Sequence, residues 1–185
     1  LCLLSALAAD DLSLAPTHRC MGLISNILDT VERLPKWHGH LYNWIDTRTL
    51  ERLRPAYVST VDSGNLAGCL IALHHGLLEK GREDLAARAK QLYIRMDFRP
   101  LYDRKRRLFH IGWDENSNAL TEGWYDLLSS EARLTGYVAI AKGDVPRNHW
   151  RRLSRAQLEK DGYRGMASWT GTAFEYLMPE LLLPC

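Results

Sequence analysis

Carboxylates that stand beside aromatic residues are the side chains of this sequence best suited to chemistry. They concentrate in four segments, namely residues 39–47, 57–68, 123–134 and 168–179. Sugar rings stack on indole and phenol faces, while their hydroxyls bond to carboxylate and amide groups. Glycoside chemistry also requires two carboxyl groups, one acting as an acid and the other as a nucleophile or base. The four segments therefore predict a glycan site.

Glu131 is the candidate catalytic carboxylate. Trp124, Leu128 and Glu131 are spaced by four and three residues, which would place them on one face of a helix. Asp126 is five residues from Glu131, about 140° around such a helix, so these two would not form a catalytic pair by themselves. The alternative role for Glu131 is a buried ion pair with an arginine of a neighbouring helix.

Eight further residues are predicted to contact a bound sugar. They are Tyr42, Trp44, Asp62, Asn65, Tyr125, Asp126, Trp169 and Glu175. Structural alternatives exist for several of them: Asp62 precedes a helix and would cap it, and Glu175 could bond to a neighbouring loop backbone. The aromatic candidates could equally belong to the core.

The elements that must position these residues are mainly helices. Apolar periodicity predicts helices over 17–34, 64–80, 82–97 and 122–142, and a last one from about Ser168 to Pro179. Residues 35–63 lack sustained periodicity and read as a long functional loop. A turn at 104–107, flanked by apolar residues, predicts a short β-hairpin. The pattern predicts an all-α fold with a small β-hairpin insertion.

Composition argues against several other classes of protein. The formal net charge is only +2, so we expect no nucleic-acid or anionic-membrane partner. The basic run 104–107 is predicted to be a solvated hairpin turn, because phosphate binding would need a wider basic face than this chain shows. No apolar run is long enough to span a bilayer, so this segment should not insert into a membrane. His38 and His40 lack further ligands for a metal. The four cysteines, Cys2, Cys20, Cys69 and Cys185, are expected to be unpaired thiols.

The four segments occur in the same order in the glucoamylase-like domain of cyclic β-1,2-glucan synthases, which the chain resembles over nearly its whole length. The resemblance includes Phe109-His-Ile-Gly-Trp and Val138-Ala-Ile-Ala-Lys-Gly-Asp-Val-Pro. It implies part of an (α/α)6-type barrel that cuts linear β-1,2-glucan and rejoins it to itself with retention of the anomer. Glu131 matches the nucleophile, and the acid/base would lie in a segment beyond Cys185. No cofactor or metal is implied.

The same resemblance implies that residues 1–185 form a single partial domain, cut at both ends. Its partners would be β-1,2-glucan and the glycosyltransferase and phosphorylase-like domains of one polypeptide. It would be a soluble part, on the cytoplasmic side, of an inner-membrane bacterial enzyme. Two other functions remain open at this stage: hydrolysis by an endo-β-1,2-glucanase-like domain, and a non-catalytic glycan-binding or interdomain module.

Overall fold

Seven α-helices dominate the computed structural model, which describes residues 1–183. They are α1 (Cys2–Asp11), α2 (Thr17–Arg33), α3 (Thr60–Glu79), α4 (Glu83–Arg95), α5 (Ala132–Ala141), α6 (Asn148–Arg152) and α7 (Ala173–Leu177). Helix α3 is central and packs against α1, α4 and α5. Its apolar stripe, Leu70, Leu73 and Leu77, is completely buried. The predicted helices over 17–34, 64–80 and 82–97 are confirmed as α2, α3 and α4, although α3 starts four residues earlier.

Within residues 1–183, ten short strands form four small antiparallel sheets. They are β1 (Lys36–Trp37), β2 (His40–Leu41), β3 (Tyr57–Ser59), β4 (Tyr102–Asp103), β5 (Leu108–His110), β6 (Gly112–Asp114), β7 (Ala119–Leu120), β8 (Trp124–Tyr125), β9 (Gln157–Lys160) and β10 (Tyr163–Met166). The sheet orders are β1-β2, β3-β6-β7, β4-β5-β8 and β9-β10. The expected hairpin at 102–110 is confirmed as β4-β5. The fold is mainly helical, as predicted, but it carries more strands than the one hairpin expected.

The prediction of one helix over 122–142 is wrong in its first half. Gly123 has φ +108°, and Trp124 and Tyr125 form β8, which pairs with Phe109 and His110 of β5. Helix α5 begins only at Ala132, with Glu131 in the N-cap position. Strand pairing outside the segment therefore overrides its helical periodicity. Trp124 and Leu128 consequently do not share a helix face with Glu131.

Helices α3 and α5 approach each other closely at Gly64. A Cβ atom on Gly64 would lie 2.7 Å from Cα of Thr135 and would also overlap the Thr135 hydroxyl. One turn further along, a Cβ on Gly68 would lie 3.0 Å from the Leu134 side chain. The Thr135 hydroxyl donates to the Thr60 carbonyl across the same contact, at 3.1 Å. These contacts bring the N-terminal ends of α3 and α5 side by side.

The last predicted helix is shorter than expected. Instead of running from Ser168 to Pro179, it is reduced to α7 and a following 3₁₀ turn, Met178–Leu181. Cys2, Cys20 and Cys69 are free thiols, and Cys185 lies outside the described residues. No helix within residues 1–183 is long and apolar enough to cross a membrane.

Candidate active site

Glu131 lies at the N-terminal end of α5, but its side chain does not cap the helix. The hydroxyl of Ser130 instead accepts the backbone N–H of Ala132, at 3.2 Å. Oε2 of Glu131 is buried and has no hydrogen-bond partner within residues 1–183. A helix N-terminus favours a negative charge, and a buried carboxylate oxygen without a partner is uncommon in a folded protein. Glu131 is therefore available to a bound molecule.

A cavity of about 260 Å³ opens beside Glu131. Its walls combine aromatic, hydroxyl and carboxylate side chains, from Ile111, Tyr125, Ser130, Glu131, Trp169, Thr170, Thr172, Phe174 and Glu175. Four of the residues predicted from the sequence, Tyr125, Glu131, Trp169 and Glu175, thus meet in one place. Apolar walls with a few polar groups are typical of small-molecule sites.

The hydroxyl of Tyr125, which lines this cavity, interacts electrostatically with a second carboxylate, that of Asp62. Burial, followed by the charge of Glu131 and contributions from Tyr57 and Asp62, raises the pKa of the Tyr125 phenol well above its ordinary value. Both Glu131 and Asp62 therefore lie within electrostatic reach of the same hydroxyl. Because the phenol stays protonated, it can donate a hydrogen bond to an anionic or hydroxyl oxygen. The Tyr125 hydroxyl is therefore a neutral hydrogen-bond donor close to the carboxylates of Glu131 and Asp62.

Asp62 does not cap α3, contrary to the structural alternative considered for it. Ser59 is the N-cap residue, and its hydroxyl accepts the N–H of Asp62 at 3.1 Å. The exposed Asp62 carboxylate instead accepts a hydrogen bond from Nδ2 of Asn43, at 2.6 Å. Asn43 is fixed in turn by the N–H of Ser59, which its Oδ1 accepts at 3.0 Å. This pair of bonds holds Asp62 in one orientation.

A second cavity, of about 310 Å³, lies beside Asp62. Its lining consists of Leu41, Tyr42, Asn43, Asp62, Ser63 and Leu66. The sequence did not predict Asn43 as a site residue, although it lies within one of the four aromatic segments. Its contact with Asp62 crosses nineteen positions of the chain, so spacing gave no signal for it.

The remaining residues that were predicted to contact a bound sugar divide into two groups. Trp169 is 51% exposed and donates its indole N–H to Asp126 at 3.1 Å, with Tyr125 6.2 Å from its ring centroid. Asn65 is half-buried, and its Oδ1 has no partner within residues 1–183. The side chains of Trp169 and Asp126 therefore remain exposed to solvent. Asn65 keeps an unused hydrogen-bond acceptor.

Tyr42 and Trp44 form the second group. Tyr42 is buried, and its hydroxyl donates to Glu115 at 3.2 Å and accepts from Arg52 at 3.1 Å. Trp44 is 47% exposed and packs beside Tyr57, but it lines neither of the two cavities. Tyr42 is thus mainly part of the packed interior, and Trp44 lies at the periphery.

Glu175 is the most heavily bonded carboxylate of the site. It accepts hydrogen bonds from the hydroxyls of Ser168 (3.0 Å) and Thr170 (2.7 Å) and from the backbone N–H groups of Thr170 and Thr172. Burial alone would raise the pKa of Glu175, but these bonds lower it to about 2. With Thr172, Glu175 also forms a capping box at the start of α7. Its carboxylate therefore orders the loop that carries Trp169.

Within residues 1–183, no group of three or more histidine, cysteine, aspartate or glutamate side chains is arranged to hold a metal ion. The chemistry that the site offers is that of carboxylates, hydroxyls and aromatic faces.

In sequence, the chain is similar to the cyclic β-(1,2)-glucan synthase NdvB of Rhizobium meliloti (strain 1021). The two are 27% identical in an alignment of 308 residues that covers 98% of this chain and 11% of the synthase. Because the chain has 185 residues, the matched region of the synthase includes residues with no counterpart here. This similarity confirms the resemblance inferred from the four segments. No protein-family model matches the chain.

In structure, the chain is similar to two solved glucoamylase-like proteins. One, from Bacteroides fragilis NCTC 9343, matches with a TM-score of 0.72 and 15% identity over 94% of this chain and 45% of that protein. The other, from Bacteroides caccae ATCC 43185, matches with a TM-score of 0.68 and 13% identity over 94% and 46%. The chain spans less than half of these proteins and about a tenth of the synthase. It combines a glucoamylase-like helical fold with similarity to one segment of a cyclic glucan synthase.

Proposed function

We propose that this chain is part of a glycoside-processing domain that cleaves linear β-1,2-glucan and joins it to itself, giving a cyclic product with retention of the anomer. The observation that carries the proposal is Glu131: a carboxylate whose buried Oε2 has no hydrogen-bond partner within residues 1–183, at a helix N-terminus, in a cavity walled by Tyr125 and Trp169. The similarity to a cyclic glucan synthase supplies the substrate class.

Glu131 is the proposed nucleophile. Its carboxylate attacks the anomeric carbon, the glycosidic C–O bond breaks, and a general acid protonates the departing oxygen. A hydroxyl at the other end of the same glucan then attacks the glycosyl-enzyme, returning its proton to the same acid/base and freeing Glu131. The proposal assigns that acid/base to a segment outside this chain. Asp62, held by Asn43, binds the sugar hydroxyls nearby.

The aromatic residues contribute binding rather than bond cleavage. Trp169 and Tyr125 offer ring faces in the cavity, and Asp126 fixes the indole of Trp169 by accepting its N–H. Asn65 offers an amide oxygen, Tyr42 forms part of the second wall, and Trp44 contacts more distant sugar units. Glu175 acts through the loop 168–172 by keeping Trp169 in place.

The proposal extends to the context of the chain. Residues 1–185 form one partial domain of an (α/α)6-type barrel, within a polypeptide that also contains glycosyltransferase and phosphorylase-like domains. That polypeptide is an inner-membrane bacterial enzyme, and this domain lies on its cytoplasmic side. The extra residues in the matched region of the synthase and the partial coverage of the solved structures support an incomplete barrel.

The test is the product profile of the complete enzyme that carries Glu131→Gln. We expect cyclic glucan to disappear while linear glucan synthesis continues, because glutamine preserves the shape of the side chain and removes its charge. Glu122→Gln, an exposed glutamate of the same region, is the matched control and should leave the cyclic product unchanged. Undiminished cyclic product from Glu131→Gln would refute the proposal.

Hydrolysis is the second candidate function, favoured by the likeness of the fold to glucoamylase-like proteins. The same assay separates the two, because water as the acceptor gives short linear glucans in place of rings. If Glu131→Gln abolishes only the release of linear fragments, the domain is an endo-β-1,2-glucanase. If substitution of Trp169 weakens glucan binding while Glu131→Gln changes no turnover, it is a non-catalytic binding module.

A further inference from the structure

The turn at 104–107 between β4 and β5 carries four consecutive cations, Arg104-Lys105-Arg106-Arg107. Asp103 fixes its backbone, because Oδ1 accepts the N–H groups of Lys105 at 2.9 Å and Arg106 at 2.8 Å. These two bonds give the backbone of the turn a defined conformation.

The four cations have different surroundings. Arg106 pairs with Asp103 at 3.1 Å, and its guanidinium lies 4.1 Å from the centre of the Trp124 ring. Arg104, Lys105 and Arg107 are exposed and have no ion pair within residues 1–183. Three positive charges of the turn are therefore uncompensated by the described residues.

Arg104 and Arg107, but not Lys105, line a third cavity of about 270 Å³. The remaining lining residues are Arg99, Tyr102, Asp144, Pro146 and Asn148. The acidic group there, Asp144, is already paired with Lys142 at 3.0 Å, and Arg99 is paired with Asp97 at 2.8 Å. The cavity is consequently positive, and it shares no lining residue with the two cavities of the candidate active site.

Tyr102 provides an independent indication of a ligand. The residue is only 7% exposed, and its hydroxyl is buried with no hydrogen-bond partner within residues 1–183. Its ring is held between Phe109 and His149, with centroid distances of 5.2 and 5.6 Å. Buried hydroxyls are nearly always hydrogen-bonded, so a group that enters the cavity could supply the missing partner.

Helix α6 makes the basic face wider than the sequence suggested. Nδ1 of His149 lies 3.0 Å from the carbonyl of Arg107, which attaches the helix to the turn. Arg152 is exposed and donates a hydrogen bond from its Nε to the carbonyl of Arg106, at 3.4 Å. The sequence predicted that phosphate binding would need a wider basic face than this chain shows. The structure adds Arg152, which is distant in sequence, to the cations of the turn.

We propose that the cavity formed by Arg99, Tyr102, Arg104, Arg107 and Asn148 binds the phosphate group of a small molecule. Guanidinium groups match phosphate oxygens with two parallel hydrogen bonds, and their charge draws the anion into the cavity. The Tyr102 hydroxyl and the Asn148 amide complete the set of donors. The ligand is either free phosphate or a sugar phosphate.

Calorimetric titration of the complete enzyme, at constant ionic strength, tests this site with inorganic phosphate, glucose 6-phosphate and glucose as probes, and the binding assigned to the site is the part that Arg104→Gln weakens. Binding of both phosphates with equal affinity supports a site for free phosphate. Tighter binding of glucose 6-phosphate supports a sugar-phosphate site. Failure of both phosphates to bind at millimolar concentration overturns the proposal, as does equal binding of glucose.

Matched variants locate the binding. Arg104→Gln and Arg107→Gln should each weaken phosphate binding about tenfold, the effect of losing one charge-assisted contact. Lys105→Gln, which removes the same charge from the same turn but not from the cavity wall, should change affinity less than about twofold. Tyr102→Phe should weaken binding with little change in melting temperature. Equal losses for Lys105→Gln and Arg104→Gln would overturn the proposal, because they indicate diffuse attraction to the basic face.

Discussion

Glu131 and Glu175 line the same cavity, and both lie in the first residues of a helix, yet their surroundings differ. Oε2 of Glu131 has no partner within the described residues, whereas Glu175 accepts bonds from two hydroxyls and two backbone N–H groups. A carboxylate whose oxygens are all engaged is poorly placed to attack or bind a substrate. Proximity to a cavity therefore does not by itself identify a reactive acid. The hydrogen bonds that each acid has already formed separate the two roles.

The largest expected difference between the variants Glu131→Gln and Glu175→Gln is in the turnover of β-1,2-glucan. Glu131→Gln should lower the rate of β-1,2-glucan cleavage by roughly 10⁴–10⁶-fold, the range for removal of a catalytic nucleophile or the group that supports it. Melting temperature should change little, because the Oε2 atom of Glu131 forms no hydrogen bond that the substitution could break. Initial rates and thermal melts of both variants provide the measurement. A rate for Glu175→Gln lower than that for Glu131→Gln would reverse the comparison.

Gly64→Ala tests whether the position of Glu131 depends on the contact between α3 and α5. The added methyl group meets the backbone of Thr135, so we expect a loss of about 1–3 kcal/mol in unfolding free energy and impaired cleavage. Gly22→Ala is the control: Gly22 lies in α2 with nothing within 4 Å of its Cβ position, and alanine there should stabilise by about 0.5–1 kcal/mol. Denaturant unfolding measures both. Unchanged stability for Gly64→Ala would show that the two helices can separate without cost.

Glu175→Gln should weaken the loop that carries Trp169. Loss of charge-assisted bonds at a capping box should lower the unfolding free energy by about 1 kcal/mol. Since the pKa of Glu175 falls from 4.5 to about 2 in the folded chain, its stabilisation is complete above about pH 4.5 and is lost as pH falls toward 2. Acid unfolding curves should therefore differ between wild type and Glu175→Gln at neutral pH and converge near pH 2. Parallel curves over this whole range would contradict the role assigned to Glu175.

Asn43→Ala is expected to have the smallest effect. It removes the bond that orients Asp62, so KM for β-1,2-glucan should rise a few-fold, roughly the effect of losing one hydrogen bond, while kcat stays close to wild type. Steady-state kinetics over a range of glucan concentrations measures the split. A fall in kcat with constant KM would instead assign Asp62 to the bond-breaking step and place it beside Glu131 in the mechanism.

The sequence predicted the features that depend on local patterns. The apolar stripes of α2, α3 and α4 are long and regular, and these helices formed close to the expected bounds. The helix over 122–142 failed in its first half because Trp124 pairs with His110, a contact that periodicity does not encode. The capping role considered as the alternative for Asp62 is excluded for a similar reason: β3 ends at Ser59, which caps α3 three residues earlier.

Four of the predicted site residues do line one cavity, because they lie in segments with distinctive combinations of aromatic and acidic residues. The sequence could not predict which hydrogen bonds each carboxylate of the site forms. Asn43 reaches Asp62 across a loop, and Thr170 reaches Glu175 within a turn that has no apolar pattern. These contacts depend on tertiary geometry, and they alone distinguish an engaged carboxylate from an available one.

The absence of a side chain at Gly64 has a consequence for how the activity of such a domain could be altered. Thr135 occupies the space where a larger residue would stand, and its hydroxyl ties the two helices to each other at Thr60. The helix ends that carry Asp62 and Glu131 therefore behave as one rigid platform, whose spacing is set by backbone contact. Substitutions confined to the loop around Trp169 leave this contact between α3 and α5 in place, so we expect them to reshape the cavity without moving the two helix ends.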